Sequence, residues 1–406
     1  MPDPGTSQLS TAGRSSFAVT ILPVLAFTFI TFMVTGIAMP VLPLHVHDRL
    51  GMGTVMVGLV TGAQFAMALV SRVWAGTVAD TAGAKRAVMM GMVAAVGAGL
   101  LYLLSLRYLG TPVLSASVLL AGRALLGGAE SFVITGALGW GLVLAGSRHT
   151  GKAIAWIGMA MYVAFAIGAP LGTALYSSYG FAAIGLATAL FPLAGLGLVA
   201  LLRGIVPSSR GRPSFVQVIG AVSLPGVGLA LASLGFGAIT TFISLLFAGK
   251  GWGGGWAAFT GFSGAFVIAR LFFGHLPDAL GGARVALVCL LVEAAGQMLI
   301  WLAPTPLVAI LGAALTGFGY SLVYPGFGIE AVRAAPSGSG ALAMGAFTAF
   351  LDLALGVSGP LLGWVASGTG IPSVFLVSTV VVLGATGIAI RLQRAAKLRL
   401  PLKEEI

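Results

Sequence analysis

Arg123 and Glu130 stand seven residues apart, which on a helix is two turns along one face. A guanidinium and a carboxylate on one stripe can hold an anion. They can also pass a proton, if the acid releases it toward one side and regains it from the other. The competing reading is a buried ion pair that staples one helix to a neighbour. Asp352 offers a second carboxylate for the same chemistry, or a counter-ion for the arginine of the second or fourth helix, Arg72 or Arg123. These residues stand out because charge is scarce: of 406 residues, 8% are charged and 58% apolar, and mean hydropathy is +1.06. Soluble domains carry roughly a quarter of their residues as Asp, Glu, Lys or Arg, so this chain cannot cover a water-facing surface. Its solvent is lipid.

The elements that position these groups follow from that solvent. Twelve apolar runs are long enough to cross a bilayer, about 17 to 25 residues each: 17–43, 55–78, 87–106, 113–142, 153–175, 181–202, 216–247, 255–276, 285–303, 306–328, 341–365 and 372–392. Backbone in hydrocarbon must satisfy its own hydrogen bonds, and runs this long and uniformly apolar exclude tilted barrel strands. The expected fold is all-α, an integral membrane bundle of twelve helices. The polar residues 1–16 carry no cleavage site, so the first helix reads as an uncleaved anchor.

An even number of spans puts both termini on one side. That side holds fifteen of the 21 Lys and Arg residues in its tails and loops; the opposite side holds Arg49, Arg107 and Lys250, and Arg72, Arg123 and Arg270 fall inside helices. This asymmetry predicts a cytoplasmic location for both termini. The net charge of +11 is then a topology signal. It is no nucleic-acid footprint, because the basic residues are scattered over seven separate segments.

Arg72, Gly76, Asp80 and Gly83 recur with identical spacing as Arg270, Gly274, Asp278 and Gly281, 198 residues later. The offset is close to half the chain, which predicts two six-helix copies in parallel topology. The expected organisation is a tail at 1–16, bundles at 17–202 and 216–392, a linker at 203–215 containing Pro207 and Pro213, and a tail at 393–406. A weaker echo pairs Gly168, Pro170 and Gly172 on helix five with Gly359 and Pro360 on helix eleven. Such runs either bend a helix or let helices pack closely.

The whole chain resembles the major facilitator superfamily (MFS). Its Gly76-Thr77-Val78-Ala79-Asp80-Thr81-Ala82-Gly83-Ala84-Lys85-Arg86 loop is similar to the family signature, with Thr81 and Ala84 where arginine is frequent. The resemblance implies a conformational latch of Asp80 with Lys85 or Arg86. The run around Arg123, Leu119 to Gly127, resembles the arginine motif of proton-driven members, and Gly168 to Gly172 resembles the helix-five run of antiporters. Gly319 to Glu330 and Phe350 to Gly356 resemble the bacterial YhhS/YfcJ-like subgroup. The resemblance further implies a multi-pass inner-membrane monomer whose halves rock around a midplane site lined by helices one, four, seven and ten. Many proton-coupled exporters of the family keep an acid in helix one. This chain has none there, which leaves coupling to Glu130, Asp352 or both.

Other polar residues have more than one reading. Glu293 and Gln297, four apart on helix nine, suit a packing hydrogen bond. Glu330 and Arg333, three apart at the end of helix ten, form a local pair that caps the helix or closes a gate. Asp80 and Asp278 either accept from a helix N-terminus or act as latches. His45, His47 and Asp48 invite a metal reading, but histidines two apart diverge on a helix. Tyr162, Phe165, Tyr320 and Tyr324 line a pocket or fill a core. No nucleotide-binding lysine loop, HExxH, CxxC or nucleophile elbow is present, and neither a metal nor a cofactor is expected. The expected function is therefore proton-coupled export of a small amphipathic molecule, with uptake of a sugar or organic acid as the alternative and a membrane-embedded enzyme or receptor as a remote one.

Overall fold

A computed structural model describes residues 17–146, 149–202, 204, 215–336 and 340–399. Twelve helices among them are long and apolar enough to cross a membrane: α1 (Phe17–Arg49), α2 (Thr54–Thr81), α3 (Ala84–Tyr108), α4 (Pro112–Ala145), α5 (Gly151–Tyr179), α6 (Phe181–Leu201), α7 (Val218–Gly249), α8 (Gly255–Phe273), α9 (Gly282–Leu302), α10 (Pro306–Ala334), α11 (Leu342–Thr369) and α12 (Pro372–Ala395). Each coincides with one of the apolar runs. Several extend further, because a helix keeps its backbone bonded beyond the hydrocarbon. Asp80 thus lies in the last turn of α2 rather than after it, and Asp278 in a short helix at Leu276–Leu280. The first run ends at residue 43 on sequence, whereas α1 turns at Met39–Val41 and ends in a π-helical turn, His45–Arg49.

The packing is the same in both halves. In the first six helices α1 packs on α5 and α6, α2 on α4, and α3 on α4 and α6; α7 to α12 repeat every one of these pairings. The repeat also fixes backbone conformation. Gly83 and Gly281, the last residues of the two copies, precede α3 and α9 with φ of 95° and 93°, a left-handed setting that side chains other than glycine rarely adopt. We propose 17–202 and 216–392 as the two bundles. The linker, apart from Gly204 and Phe215, lies outside the described residues, as do residues 1–16, Arg148 and the end of the C-terminal tail.

Two seams join the halves, α2 against α11 and α5 against α8. The loops expected to be basic lie at one end of the bundle, here termed the basic face. Toward the opposite face the α2–α11 seam is closed: the Thr54 hydroxyl donates to the Gly363 carbonyl at 2.7 Å, and Gly58 packs directly on Gly359. A Cβ at Gly58 would overlap the Gly359 carbonyl. Gly58→Val is therefore expected to open this seam. Overpacking costs about 1–3 kcal/mol, enough to move a two-state population by roughly fivefold to a hundredfold. Spin-label distances between the opposite-face ends of α2 and α11 test this: they should lengthen, and unchanged distances would contradict the packing described.

Candidate functional site

Between the halves lies a cavity of about 1260 Å³. Its wall includes Gly151 and Lys152 at the start of α5, Pro277 and Asp278 after α8, and Arg333 at the end of α10. All are at the basic face, so the cavity opens there and ends blind toward the closed end of the α2–α11 seam. Its depth is lined by Thr35, Gln64, Phe65 and Glu130 from the first half and by Phe236, Phe266, Tyr320 and Leu355 from the second. Most of this surface is apolar or aromatic. The four aromatics expected to line a pocket or fill a core, Tyr162, Phe165, Tyr320 and Tyr324, all line this cavity.

Glu130 is buried on α4, with its carboxylate at the cavity wall. The Thr35 hydroxyl of α1 donates to one oxygen and Gln64 Nε2 of α2 donates to the other at 2.6 Å. Packing brings Gln64 there. Gly127, three residues before Glu130, lies in backbone contact with Gln64, so α2 and α4 meet closely enough for a short amide to reach the acid. Both of Glu130's partners are neutral. Gln64 Oε1 is buried without a hydrogen-bond partner among the described residues. A half-turn of the amide would present that oxygen to Glu130. A donor for the carboxylate would then become an acceptor for the carboxylic acid, and the Thr35 hydroxyl can serve either form. The shell thus accommodates both protonation states.

Arg123 shares a helix face with Glu130 on sequence but is not part of the cavity wall beside it. It is 2% exposed and points toward α3, where Nη1 donates to the Tyr102 hydroxyl at 3.4 Å. Seven residues correspond to about 10.5 Å of rise, which a single pair of side chains on one helix does not bridge directly. Asp352 does reach an arginine, across the seam: Arg72 of α2 donates to its Oδ2 from Nε at 2.9 Å and also from Nη2. Both residues border the cavity. Two of the acids singled out on sequence therefore converge on one cavity in different electrostatic settings. The Arg72 partnership is one of the two counter-ion readings open to Asp352 on sequence, whereas Thr35 and Gln64 were not legible beforehand, since each depends on contacts between distant parts of the chain. Few amides lie in the spans, and that scarcity is a signal the sequence offers for Gln64.

The description "Major Facilitator Superfamily" belongs to a family model that matches residues 24–253 and again 226–405. The chain belongs to the major facilitator superfamily. An uncharacterised MFS-type transporter of Pseudomonas aeruginosa is 44% identical over 387 residues, 95% of this chain and 96% of that one. Another from Burkholderia mallei is 41% identical over 390 residues, 95% of each chain. Among solved structures, nucleoside transporter NupG superimposes with a TM-score of 0.69 at 14% identity, covering 92% of this chain and 98% of its own. That likeness concerns the fold. The protein is an MFS membrane transporter with multiple membrane-spanning helices.

Within this superfamily fold the remaining expected residues take varied places. Lys85 Nζ donates to the carbonyls of Ala200 and Leu202 at 2.8 and 2.6 Å, capping the end of α6 inside its own half. Arg86, Asp80 and Asp278 are exposed. Gly76 lies inside α2, whereas Gly274 caps the end of α8 after Arg270, and the Arg270 guanidinium sits 5.5 Å from the Phe266 ring centroid. On α5, Gly168 and Gly172 lie against Gly36 and Ile37 of α1, and on α11 Gly359 lies against Gly58. Pro170 and Pro360 sit within unbroken helices, and the glycines beside them serve close helix approach. Arg333 bonds Glu330 at 3.1 Å in the last turn of α10. Gln297 Nε2 donates to the Gly235 carbonyl at 3.2 Å, whereas both oxygens of Glu293 are without hydrogen-bond partners among the described residues. His45 stacks on Phe181 at 3.9 Å while His47 Nδ1 turns to the Met52 carbonyl at 2.8 Å. The two rings diverge.

Proposed function

We propose that this transporter is a proton-coupled exporter of small amphipathic molecules, working by alternating access, with Glu130 as the group whose protonation alternates with substrate occupancy. One observation carries the reading. Glu130 is a cavity-lining carboxylate held by neutral donors alone, in a shell able to hold either its charged or its neutral form. An ionisable group within the membrane is functional by default, and here proton uptake requires no ion pair to break. Arg123, two turns away, would act through its field rather than by direct contact. The apolar and aromatic wall favours an amphipathic substrate, because a sugar would need many more amides and hydroxyls. Export rests on the antiporter-like Gly168 to Gly172 run. The excess of basic residues on one side supports an inner-membrane location with cytoplasmic termini. In that frame the cavity is inward-open, Asp80 with Lys85 or Arg86 forms the latch, and Glu330 with Arg333 is a gate. The Asp352–Arg72 pair would tie the halves together.

The test is accumulation of neutral, cationic and anionic amphipathic fluorophores in everted membrane vesicles. With the lumen made acid, at least one class should accumulate above the level of vesicles lacking the protein. Accumulation only with the gradient reversed would indicate proton symport inward, and indifference to any gradient would remove proton coupling altogether.

A further inference from the structure

The two seams are built alike but charged differently. Arg72 and Arg270 are repeat counterparts, 198 residues apart. Across the first seam, Arg72 meets Asp352, eight residues before Pro360 on α11. Across the second, the residue eight before Pro170 on α5 is Tyr162. Tyr162 stacks on Phe266 of α8 at 3.5 Å and 14°, and Arg270 lies over that same ring. An aromatic thus occupies the position where the other seam has an acid. Arg270 makes no ion pair with any described residue. The other two arginines bordering the cavity are paired with acids, Arg72 with Asp352 and Arg333 with Glu330, while Lys152, at the cavity mouth, lies over Phe17 and Trp156 at 5.1 and 5.0 Å. Arg270 borders the cavity beside Tyr162, Phe236 and Tyr320, and the Phe236 and Tyr320 rings stack at 5.8 Å.

We infer that Arg270 and this aromatic wall form a binding site for an aromatic organic anion, a carboxylate or sulfonate carried on a ring. The ligand supplies the counter-charge that Asp352 supplies at the first seam. A guanidinium presents paired donors that match the two oxygens of such a group. The ligand's ring is held by offset stacking on the wall, and the cation–π contact with Phe266 keeps the guanidinium oriented. This inference rests on reading the cavity as the substrate route. It narrows the substrate from amphipathic molecules in general to anionic aromatic ones.

Binding of 2-naphthoate to the purified full-length protein, read by thermal shift, tests the site apart from transport. 2-Naphthoate should raise the apparent Tm and 2-naphthamide, its neutral counterpart, should not. Arg270→Gln should weaken 2-naphthoate binding at least tenfold, and Arg270→Lys, which keeps charge without the paired donors, should bind with intermediate strength. The lysine variant also guards against a folding defect in the glutamine variant. Binding is read without any pH gradient, so that failure of proton coupling in the vesicle assay and failure of this site are distinguished. Equal shifts with the acid and the amide, no shift with 2-naphthoate, or Arg270→Gln and Arg270→Lys both binding within twofold of wild type would overturn the inference.

Discussion

Asp352→Asn is expected to destabilise the transporter by about 2 kcal/mol. The pair it breaks joins the two halves: two nitrogens of Arg72 converge on one oxygen of Asp352. Removing one partner of a fully buried pair costs about 3–5 kcal/mol, because the other charge is left without compensation. Here the Arg72 side chain is 25% exposed, against 8% for Asp352, and cavity water offsets part of the loss. Arg72→Gln should cost less, since the carboxyl left behind can take up a proton. The double variant should recover much of the loss. A double-mutant cycle on unfolding stability in detergent is the check, with an expected coupling above about 1 kcal/mol. Additive single effects would mean that the pair contributes no mutual stabilisation.

Glu130→Gln is expected to abolish uphill transport while sparing exchange. A proton falling through a gradient of one pH unit releases about 1.4 kcal/mol, which sustains roughly a tenfold substrate ratio for each proton carried. An amide carries no proton, so the ratio should fall to one. It can still accept from Thr35 and lie beside Gln64, so the site keeps its shape and substrate exchange at equal concentrations should continue. Gradient-driven accumulation and counterflow measured on the same proteoliposomes separate the two. Retained accumulation would move the coupling to another residue.

The spans were legible because lipid imposes one requirement on every crossing segment, and each apolar run met it. Their ends were less so: polar residues such as Asp80 and Arg333 continue a helix past the hydrocarbon, where hydropathy has no say. The repeat was legible in Arg72 and Arg270 and reappears as matching positive φ at Gly83 and Gly281. Charge scarcity pointed to Glu130 and Asp352, and both border the cavity. It offered Asp352 the arginine of helix two or four as a counter-ion, but it did not supply the partners of Glu130. Arg123 shares a stripe with Glu130, but axial rise keeps them apart, whereas Gln64 reaches Glu130 because Gly127 lets α2 and α4 touch. The pairing of Arg72 with Asp352 spans 280 residues, and only the folded bundle brings them together. The same holds for the contrast between the seams, where an acid faces one arginine and a tyrosine stands in the matching place at the other.

Alternation of proton and substrate at Glu130 is tested most directly by the luminal pH of proteoliposomes that hold a trapped pH indicator and an acid interior, recorded as a transported amphipathic substrate is added outside. Wild-type protein is predicted to raise luminal pH as substrate enters, and Glu130→Gln to leave it flat while still exchanging labelled substrate. Substrate entry through the wild type without luminal alkalinisation, or equal alkalinisation by both proteins, would contradict it.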